Sequence, residues 1–288
     1  MTPFGYGLRV PHYAELLRNG AGVPYVEALT ENFLERGGRP AAVLERVRRD
    51  ARVLLHGVGL SIGGVDPLRS DYLRKLRALR EAVLPEVVSD HLCFGSFGGR
   101  HGHDLWPLPF TEEALAHVVR RVVEVQDQLG SRIALENVSS YVTYASSEMT
   151  EWEFLSEVSE RADCFLLLDV NNVHVSATNH GFDARAFVRG LPQRRVAQFH
   201  VAGHSVREGY LFDDHGSDVP DVVWRLYREA VERFGAVPCI VERDENVPDL
   251  AVLVQESERA GAIAASSLSA AASALEATAS AVAFGAAS

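Results

Sequence analysis

The chain has 288 residues, of which 47% are hydrophobic and 23% are charged. This composition is typical of a globular protein with a full core and excludes general disorder. The net charge of −11 argues against a nucleic-acid partner, because binding a long phosphate backbone requires a basic surface.

Membrane insertion and secretion are also unexpected. No stretch approaches the ~20 consecutive apolar residues that cross a bilayer, so we predict no membrane partner. The N-terminus lacks the basic and apolar segments of a secretory signal. The three cysteines are scattered along the chain, which fits a reducing compartment, and we predict a cytoplasmic protein.

Eight short apolar runs are predicted as strands buried on both faces. They cover residues 5–10, 23–29, 52–58, 86–90, 132–136, 164–170, 195–201 and 237–242. Helical patterns separate them at roughly 11–19, 40–50, 70–83, 111–130, 150–162, 183–190, 219–234 and 248–260. The clearest of these helices has Thr111 as its N-cap and Gly130 just beyond its end. Regular alternation of strands and helices predicts a parallel sheet, and eight such units predict an α/β fold of the (β/α)₈ TIM-barrel type.

The end of the chain differs in composition from the rest. Between residues 260 and 288, 20 of 29 residues are Ala or Ser. Ala favours a helix, but few large apolar side chains are present to bury, so a helical and a disordered tail remain alternatives. We therefore divide the chain into a barrel domain at residues 1–259 and an Ala/Ser-rich tail at residues 260–288.

Metal-binding residue types recur at the carboxyl ends of the predicted strands. That end of a (β/α)₈ barrel is where active sites form, so these side chains are expected to converge. Carboxylates and imidazoles crowded together repel one another unless cations neutralise them, which favours a metal site over a purely structural cluster. The residues are His56, His91, Glu136, Asp169, His200 and Glu242 at strand ends, with Asp213 and His215 in the loop after the seventh strand.

The donor types narrow the choice of metal. Nitrogen and oxygen donors without a thiolate fit iron, manganese or zinc. The donors outnumber the needs of one ion, so we predict two or three. Three divalent cations would outweigh the four carboxylates by roughly two positive charges, which favours an anionic ligand. This balance suits a redox enzyme and a phosphoesterase equally well.

Seven motifs follow one another in the sequence around these residues. They are LHGVGLSIGG around His56, SDHLCF around His91, ALENVSSY around Glu136, DVNN from Asp169 to Asn172, HVAGH from His200 to His204, the run from Asp213 to Gly216, and VERDENVP around Glu242. Over about residues 4–250 the chain thereby resembles the multinuclear non-haem iron-dependent oxidative enzymes. The resemblance implies a barrel similar to those of xylose isomerase and endonuclease IV.

The resemblance also implies a distribution of ligands. One iron would be held by His56, His91 and Glu136. Glu136 would bridge to a second iron held by Asp169, His200 and Glu242. A third position would use Asn172, Asp213 and His215, and would bind more weakly because an amide oxygen is a poorer ligand than an imidazole.

Further residues receive supporting roles by the same resemblance. We assign catalytic roles to Asp169, His200 and His204, with His204 either lining the open substrate position or capping its loop. His174 is an alternative ligand if the strand before it continues. Candidates for contacts behind the ligands are Glu27, Glu31, Asn32, Asp90, Asn137 and Asp244. Adjacent strand residues point to opposite faces, so the alternative for Asp90, next to His91, is to face a helix.

The implied activity is an oxidation in peptide natural product biosynthesis. The resemblance implies two to three iron ions in mixed Fe(II)/Fe(III) states and O₂ as co-substrate. The substrate would be a ribosomally made precursor peptide, modified at Cys or else at Asp or Asn. A small leader-peptide-binding protein is the implied partner. The alternative is a multinuclear zinc or manganese phosphodiesterase, a hydrolase similar to endonuclease IV.

Overall fold

The computed structural model describes residues 2–35 and 37–285, and the side chains of residue 103 and residues 271–285 are outside the description. Its strands are β1 Phe4–Gly7, β2 Tyr25–Leu29, β3 Arg52–Gly57, β4 Val88–His91, β5 Phe94–Phe97, β6 Arg100–Trp106, β7 Ala134–Glu136, β8 Phe165–Asp169, β9 Val196–Val201, β10 Ser205–Arg207, β11 Tyr210–Phe212 and β12 Cys239–Val241. Eight of them close into a parallel barrel in the order β1-β12-β9-β8-β7-β4-β3-β2. The predicted (β/α)₈ barrel is confirmed, and each of the eight predicted strands overlaps a barrel strand.

Helices cover the outside of the barrel. They are α1 Tyr13–Asn19, α2 Gly38–Val47, α3 Ser70–Val83, α4 Glu112–Leu129, α5 Glu151–Arg161, α6 Val170–His180, α7 Ala184–Gly190, α8 Asp221–Phe234 and α9 Leu250–Gly285. The helix α6 is absent from the sequence prediction. It begins directly after β8, so the condition under which His174 would share a strand face with Asn172 is not met.

The ends of the helices follow local rules. The Thr111 hydroxyl accepts a hydrogen bond from the Ala114 N–H at the start of α4, and Gly130 ends that helix in the left-handed region, as predicted. A reciprocal capping box between Thr150 and Glu153 starts α5.

The last helix includes much of the Ala/Ser-rich segment. It runs without interruption from Leu250 to Gly285. The division of the chain at residue 259 stays a prediction, and residues 286–288 lie outside the described residues. No helix in the described part of the chain is both long and apolar enough to cross a membrane.

Strand alternation divides the barrel interior into two levels. A small buried apolar cluster of Tyr25, Leu54 and Ile240 fills the lower level. Two residues further along the same strands, the same face carries Glu27, His56 and, just past β12, Glu242. The polar residues therefore lie directly above an apolar plug, at the carboxyl ends of the strands.

Two hairpins rise from loops at that end of the barrel. β5 pairs with β6 after barrel strand β4, and β10 pairs with β11 after barrel strand β9. Neither hairpin is among the predicted elements. Both extend the walls of the barrel mouth beyond the strand ends.

Candidate metal centre

The first cluster lies where β3, β4 and β7 end. The Nε2 atoms of His56 and His91 are 3.3 Å apart. The Glu136 Oε2 atom lies 3.1 Å from the first of these nitrogens and 3.2 Å from the second. Three donor atoms thus converge on one point from neighbouring strands, and all three side chains are buried.

A second cluster shares Glu136 with the first. The His200 Nδ1 atom lies 3.3 Å from Glu136 Oε1, 3.1 Å from Glu242 Oε2 and 4.0 Å from Asp169 Oδ2. One oxygen of Glu136 therefore faces the first cluster while the other faces the second. Such an arrangement suits a carboxylate that bridges two cations.

A third cluster surrounds His215 at the edge of the mouth. Its Nε2 atom lies 2.8 Å from Asp213 Oδ1, and its Nδ1 atom lies 3.1 Å from Asp244 Oδ2 and 3.4 Å from Glu242 Oε2. One donor atom from each of His215, Glu242 and Asp244 lies within 4.8 Å of the other two. The expected partner Asp213 approaches the opposite ring nitrogen, and the Asn172 Oδ1 atom is buried without a hydrogen-bond partner.

The ring nitrogens that point away from the clusters are held by other groups. His56 Nδ1 lies 2.8 Å from the Ser89 hydroxyl, and His91 Nδ1 lies 3.1 Å from the Gly57 carbonyl. His200 Nε2 lies 3.0 Å from Glu27 Oε2. Metal-bound histidines are usually fixed in this way by a carboxylate, a carbonyl or a hydroxyl behind them.

The predicted residue His204 lies at the margin of the site. Its Nδ1 atom is 2.7 Å from Asn171 Oδ1, and the Asn171 amide donates to Asp213 at 2.8 Å. The ring of His204 lies 5.1 Å from that of His174. Neither histidine belongs to the three clusters, so both lie beside the clustered donor atoms and not among them.

Of the other candidates for supporting contacts, Asn137 holds the backbone of a residue in the second cluster, whereas Asp90 and Glu31 bind groups other than the clustered donor atoms. Asn137 pairs with the Asp169 backbone, accepting from its N–H and donating to its carbonyl. In contrast, Asp90 accepts from the backbone N–H groups of Leu60 and His91, while Glu31 accepts from Tyr72 and Val58. Asn32 is exposed.

Sequence reasoning missed the contacts made by Ser89, Ser139, Asn171 and Gln198.

Burial strongly disfavours charge on two of the carboxyl groups. It raises the pKa of Glu136 to about 7 and that of Asp169 to about 8, and the nearby negative charges add to this effect. These pKa values describe the protein without a cation. A bound cation would attract the negative charge of both carboxylates and would therefore favour their ionised forms.

For the imidazoles of His200 and His215, nearby carboxylates outweigh burial and favour the charged form. Burial lowers the pKa of His200, but the carboxylates of Glu242 and Glu27 outweigh it and raise that pKa well above its usual value. His215 shows the same sign because Asp213 lies against its ring. In return, His200 holds the pKa of Glu242 well below its usual range despite burial.

Several buried donor atoms in these clusters approach one another closely but form no hydrogen bond of ordinary geometry. Buried polar atoms are almost always satisfied, so a concentration of exceptions in one place is what a cation-binding site would show. The nitrogen and oxygen donors fit iron, manganese or zinc. The atoms are Glu136 Oε2, Asp169 Oδ2, Asn172 Oδ1, His200 Nδ1 and His215 Nε2.

Comparison with known proteins assigns the chain to a family. The family described as "RiPP precursor modification enzyme MbnB/TglH/ChrH" matches residues 3–265, where RiPP denotes a ribosomally synthesised and post-translationally modified peptide. The chain belongs to this family. The membership predicted from the seven motifs is thereby confirmed, and the MbnB/TglH/ChrH family is one of enzymes.

Named relatives match this chain along most of its length. A UPF0276 protein of Anaeromyxobacter sp. (strain Fw109-5) is 58% identical over 266 residues, which cover 92% of this chain and 94% of the relative. A UPF0276 protein of Rhizorhabdus wittichii is 50% identical over 255 residues, covering 88% and 91%.

The solved structures concern the fold alone. An L-ribulose 3-epimerase aligns with a TM-score of 0.60 at 13% identity, covering 96% of this chain and 98% of its own. Endonuclease IV from Thermus thermophilus aligns with a TM-score of 0.59 at 13% identity, covering 90% and 98%. The predicted likeness to the endonuclease IV type of barrel is confirmed.

The contact between Glu27 and His200 makes a testable prediction. Replacing Glu27 by Ala removes the acceptor behind His200 and also frees the Gln198 amide that donates to the same carboxylate. We expect metal affinity to fall by about 10- to 100-fold, as is usual when a group behind a metal-bound histidine is lost. Competitive titration against a chromophoric chelator measures this. Glu27→Gln retains one acceptor oxygen and should lose less, and equal losses in both variants would contradict the orienting role.

Proposed function

We propose that the chain is a multinuclear non-haem iron oxidase that uses O₂ to modify a ribosomally made precursor peptide at Cys, with Asp or Asn as the other candidates. The observation that carries the proposal is the bridging position of Glu136 between two buried clusters of nitrogen and oxygen donors. Membership of the RiPP precursor modification family supports the peptide substrate.

The proposed ligands follow the clusters. His56, His91 and Glu136 hold one iron, and Glu136, Asp169, His200 and Glu242 hold a second. Asn172, Asp213 and His215 hold a third, with Asp244 behind the His215 ring. Two or three irons in mixed Fe(II)/Fe(III) states would supply one-electron chemistry with O₂.

The residues of the chain contribute position, charge and access. Asp169 and His200 are fully buried, whereas His91, His215 and Glu242 retain 7–8% exposure. A substrate therefore reaches the clusters from the open side formed by the latter three residues. His204, with Asn171 behind it, lines that approach and is placed to contact the bound peptide. An anionic thiolate is the ligand that an excess of positive charge in the pocket would attract.

The proposal also covers the setting of the reaction. A small leader-peptide-binding protein is proposed as partner, and the cytoplasm as the location. Three buried free cysteines support a reducing compartment, since thiols there remain unoxidised.

The test combines metal analysis with oxygen consumption. Protein purified without oxygen should contain iron with a coupled mixed-valent signal, and it should consume O₂ when given a Cys-containing peptide. Asp169→Ala and His200→Ala should each abolish turnover, because both remove a donor from the second cluster. Retained turnover in both variants at full metal loading would contradict the assignment of that cluster.

One outcome would favour the hydrolase instead. The same nitrogen and oxygen donors suit zinc and manganese. Protein that contains only those metals and gains no O₂ uptake on addition of ferrous iron would redirect the assignment to a phosphodiesterase. Hydrolysis of bis(p-nitrophenyl) phosphate by the zinc-loaded or manganese-loaded protein would then be the measurement to make.

A further inference from the structure

The hairpin β10–β11 has one covered edge and one open edge. The Asn179 side chain of α6 pairs with Leu211 through two hydrogen bonds, accepting from its backbone N–H at 2.8 Å and donating to its carbonyl at 3.0 Å. The amide thus takes the place of a neighbouring strand along β11. Within residues 2–35 and 37–285, β10 pairs with β11 alone.

The direction in which the backbone N–H and C=O of Leu211 point fixes the direction of the backbone groups on β10. Leu211 is opposite Val206 in the antiparallel register. Because the N–H and C=O of Leu211 point toward Asn179, this pair is not hydrogen-bonded, and the Val206 groups point outward on the other side. The two-residue turn at Glu208 and Gly209 agrees, since the pair that closes such a turn is hydrogen-bonded and the next pair is not.

The open edge lies beside the proposed metal centre. β10 begins one residue after His204, and β11 ends one residue before Asp213. A chain extended along β10 advances about 3.3 Å per residue. A segment paired at Val206 therefore reaches the barrel mouth within about three or four residues.

Aromatic side chains of this hairpin and of the loop after β7 form a wall beside the open mouth of the barrel. Tyr141 lies 6.1 Å from Tyr210 and 5.7 Å from Phe212, measured between ring centroids. All three rings are 36–45% exposed, and the Tyr141 hydroxyl accepts from the Asp213 N–H at 2.9 Å. An exposed apolar patch in contact with a site residue is typical of a binding surface.

We propose that the outer edge of β10 binds an extended segment of the substrate peptide, which adds to the hairpin as a third strand. The inference rests on the proposed function and assigns a position to its substrate. The Val206 N–H donates to the peptide backbone and its C=O accepts from it, as in other cases of strand addition. Tyr210 and Phe212 lie on β11, one strand further from the added segment, so the backbone pairing at Val206 carries the binding.

The shape of the edge favours a flexible peptide over a folded protein. Only one residue of this three-residue strand presents both backbone groups outward, so pairing alone is weak. A peptide whose reacting side chain is already held at the metals binds this edge as an intramolecular event, with a raised effective concentration. A separate protein gains no such advantage.

Val206→Pro tests the edge directly. Proline removes the outward N–H without removing a bond to β11, and proline is tolerated at such edge positions. The probe is a fluorescein-labelled synthetic peptide of about 14 residues, whose single Cys is flanked by Thr-Val repeats. Binding to the metal-loaded protein is measured by anisotropy without oxygen. We expect the dissociation constant to rise about three- to tenfold, whereas Val206→Ala, which keeps the N–H, loses less affinity.

Hydrogen exchange of the wild-type protein supplies a second measurement. Amides at residues 205–207 should exchange more slowly when the peptide is bound. Equal affinities of the proline variant and the wild type, unaltered exchange, or no binding of the peptide at millimolar concentration would each overturn the inference. Both binding measurements are made without oxygen, so they do not depend on the oxidase activity. Peptide binding at this edge with no O₂ uptake in a later assay would contradict only the proposed oxidase. O₂ uptake without slower exchange at residues 205–207 would contradict only the binding of the peptide to β10.

Discussion

Replacing Glu136 by Gln is expected to weaken metal binding at two positions at once. Glu136 Oε2 lies within 3.2 Å of the Nε2 atoms of both His56 and His91, while Oε1 lies 3.3 Å from His200 Nδ1. The neutral amide keeps one oxygen and loses the charge that a bridging ligand needs. Metal content should fall by at least one ion per chain, and turnover should fall by more than the ~100-fold that loss of a supporting group costs.

The matched control is Glu86→Gln. Glu86 makes its ion pair with Arg52 at the opposite end of the barrel, so the same chemical change there leaves the clusters intact. Elemental analysis of both variants, purified side by side without oxygen, measures the difference. Full metal loading of the Glu136 variant would remove this residue from the ligand set.

The barrel and the convergence of donor residues at the strand ends were predictable for a common physical reason. A buried parallel strand has a recognisable apolar run, and its end is marked where a polar residue follows, as at His56, Glu136 and Asp169. The topology of a barrel then brings all carboxyl ends to one mouth. Strand periodicity alone therefore brought distant side chains together without any knowledge of contacts.

The missed elements lack such a signal. The helix α6 starts directly after β8, and its opening residues have an apolar and polar pattern that also suits a strand. The hairpin β10–β11 is only three residues deep on each side, too short for periodicity to identify. Its position depends on tertiary contacts such as that between Asn179 and Leu211.

The contacts behind the ligands were only partly predictable. Glu27 was a candidate for such a role, but its partner His200 is 173 positions away, and only the closed barrel brings the two together. Asp90 shows the converse. It directly precedes His91, yet strand alternation points it away from the cluster, toward Tyr72 and the Leu60 N–H. Of the two alternatives that the sequence left open for Asp90, alternation along the strand therefore outweighs adjacency to His91.

Removal of metal by a chelator is expected to lower the melting temperature markedly. A ligand that binds only the folded state stabilises it by about 2.7 kcal/mol at a hundredfold excess over its dissociation constant. For a chain of this size two such ions correspond to a shift on the order of 10 °C. Differential scanning calorimetry of the metal-loaded and chelated protein measures it. Glu136→Gln is the control, and its shift should be smaller.

The fall in melting temperature on removal of metal should also grow as the pH rises from 6 to 8. Without metal, burial raises the pKa of Asp169 to about 8 and that of Glu136 to about 7. The unfolded chain releases these protons near pH 4, so the folded metal-free state binds more protons than the unfolded state across this range, and its stability falls with rising pH. The raised pKa of His200 acts in the same direction above its usual value.

The metal-loaded protein should lack this loss of stability. Cations hold the carboxylates ionised and compete with protons for the same atoms, so metal affinity increases as the pH rises. The two melting curves should therefore diverge toward pH 8. A difference that is constant with pH would show that the buried carboxylates are not the groups that metal neutralises, and an unchanged melting temperature in a sample that had contained metal would contradict the whole metal centre.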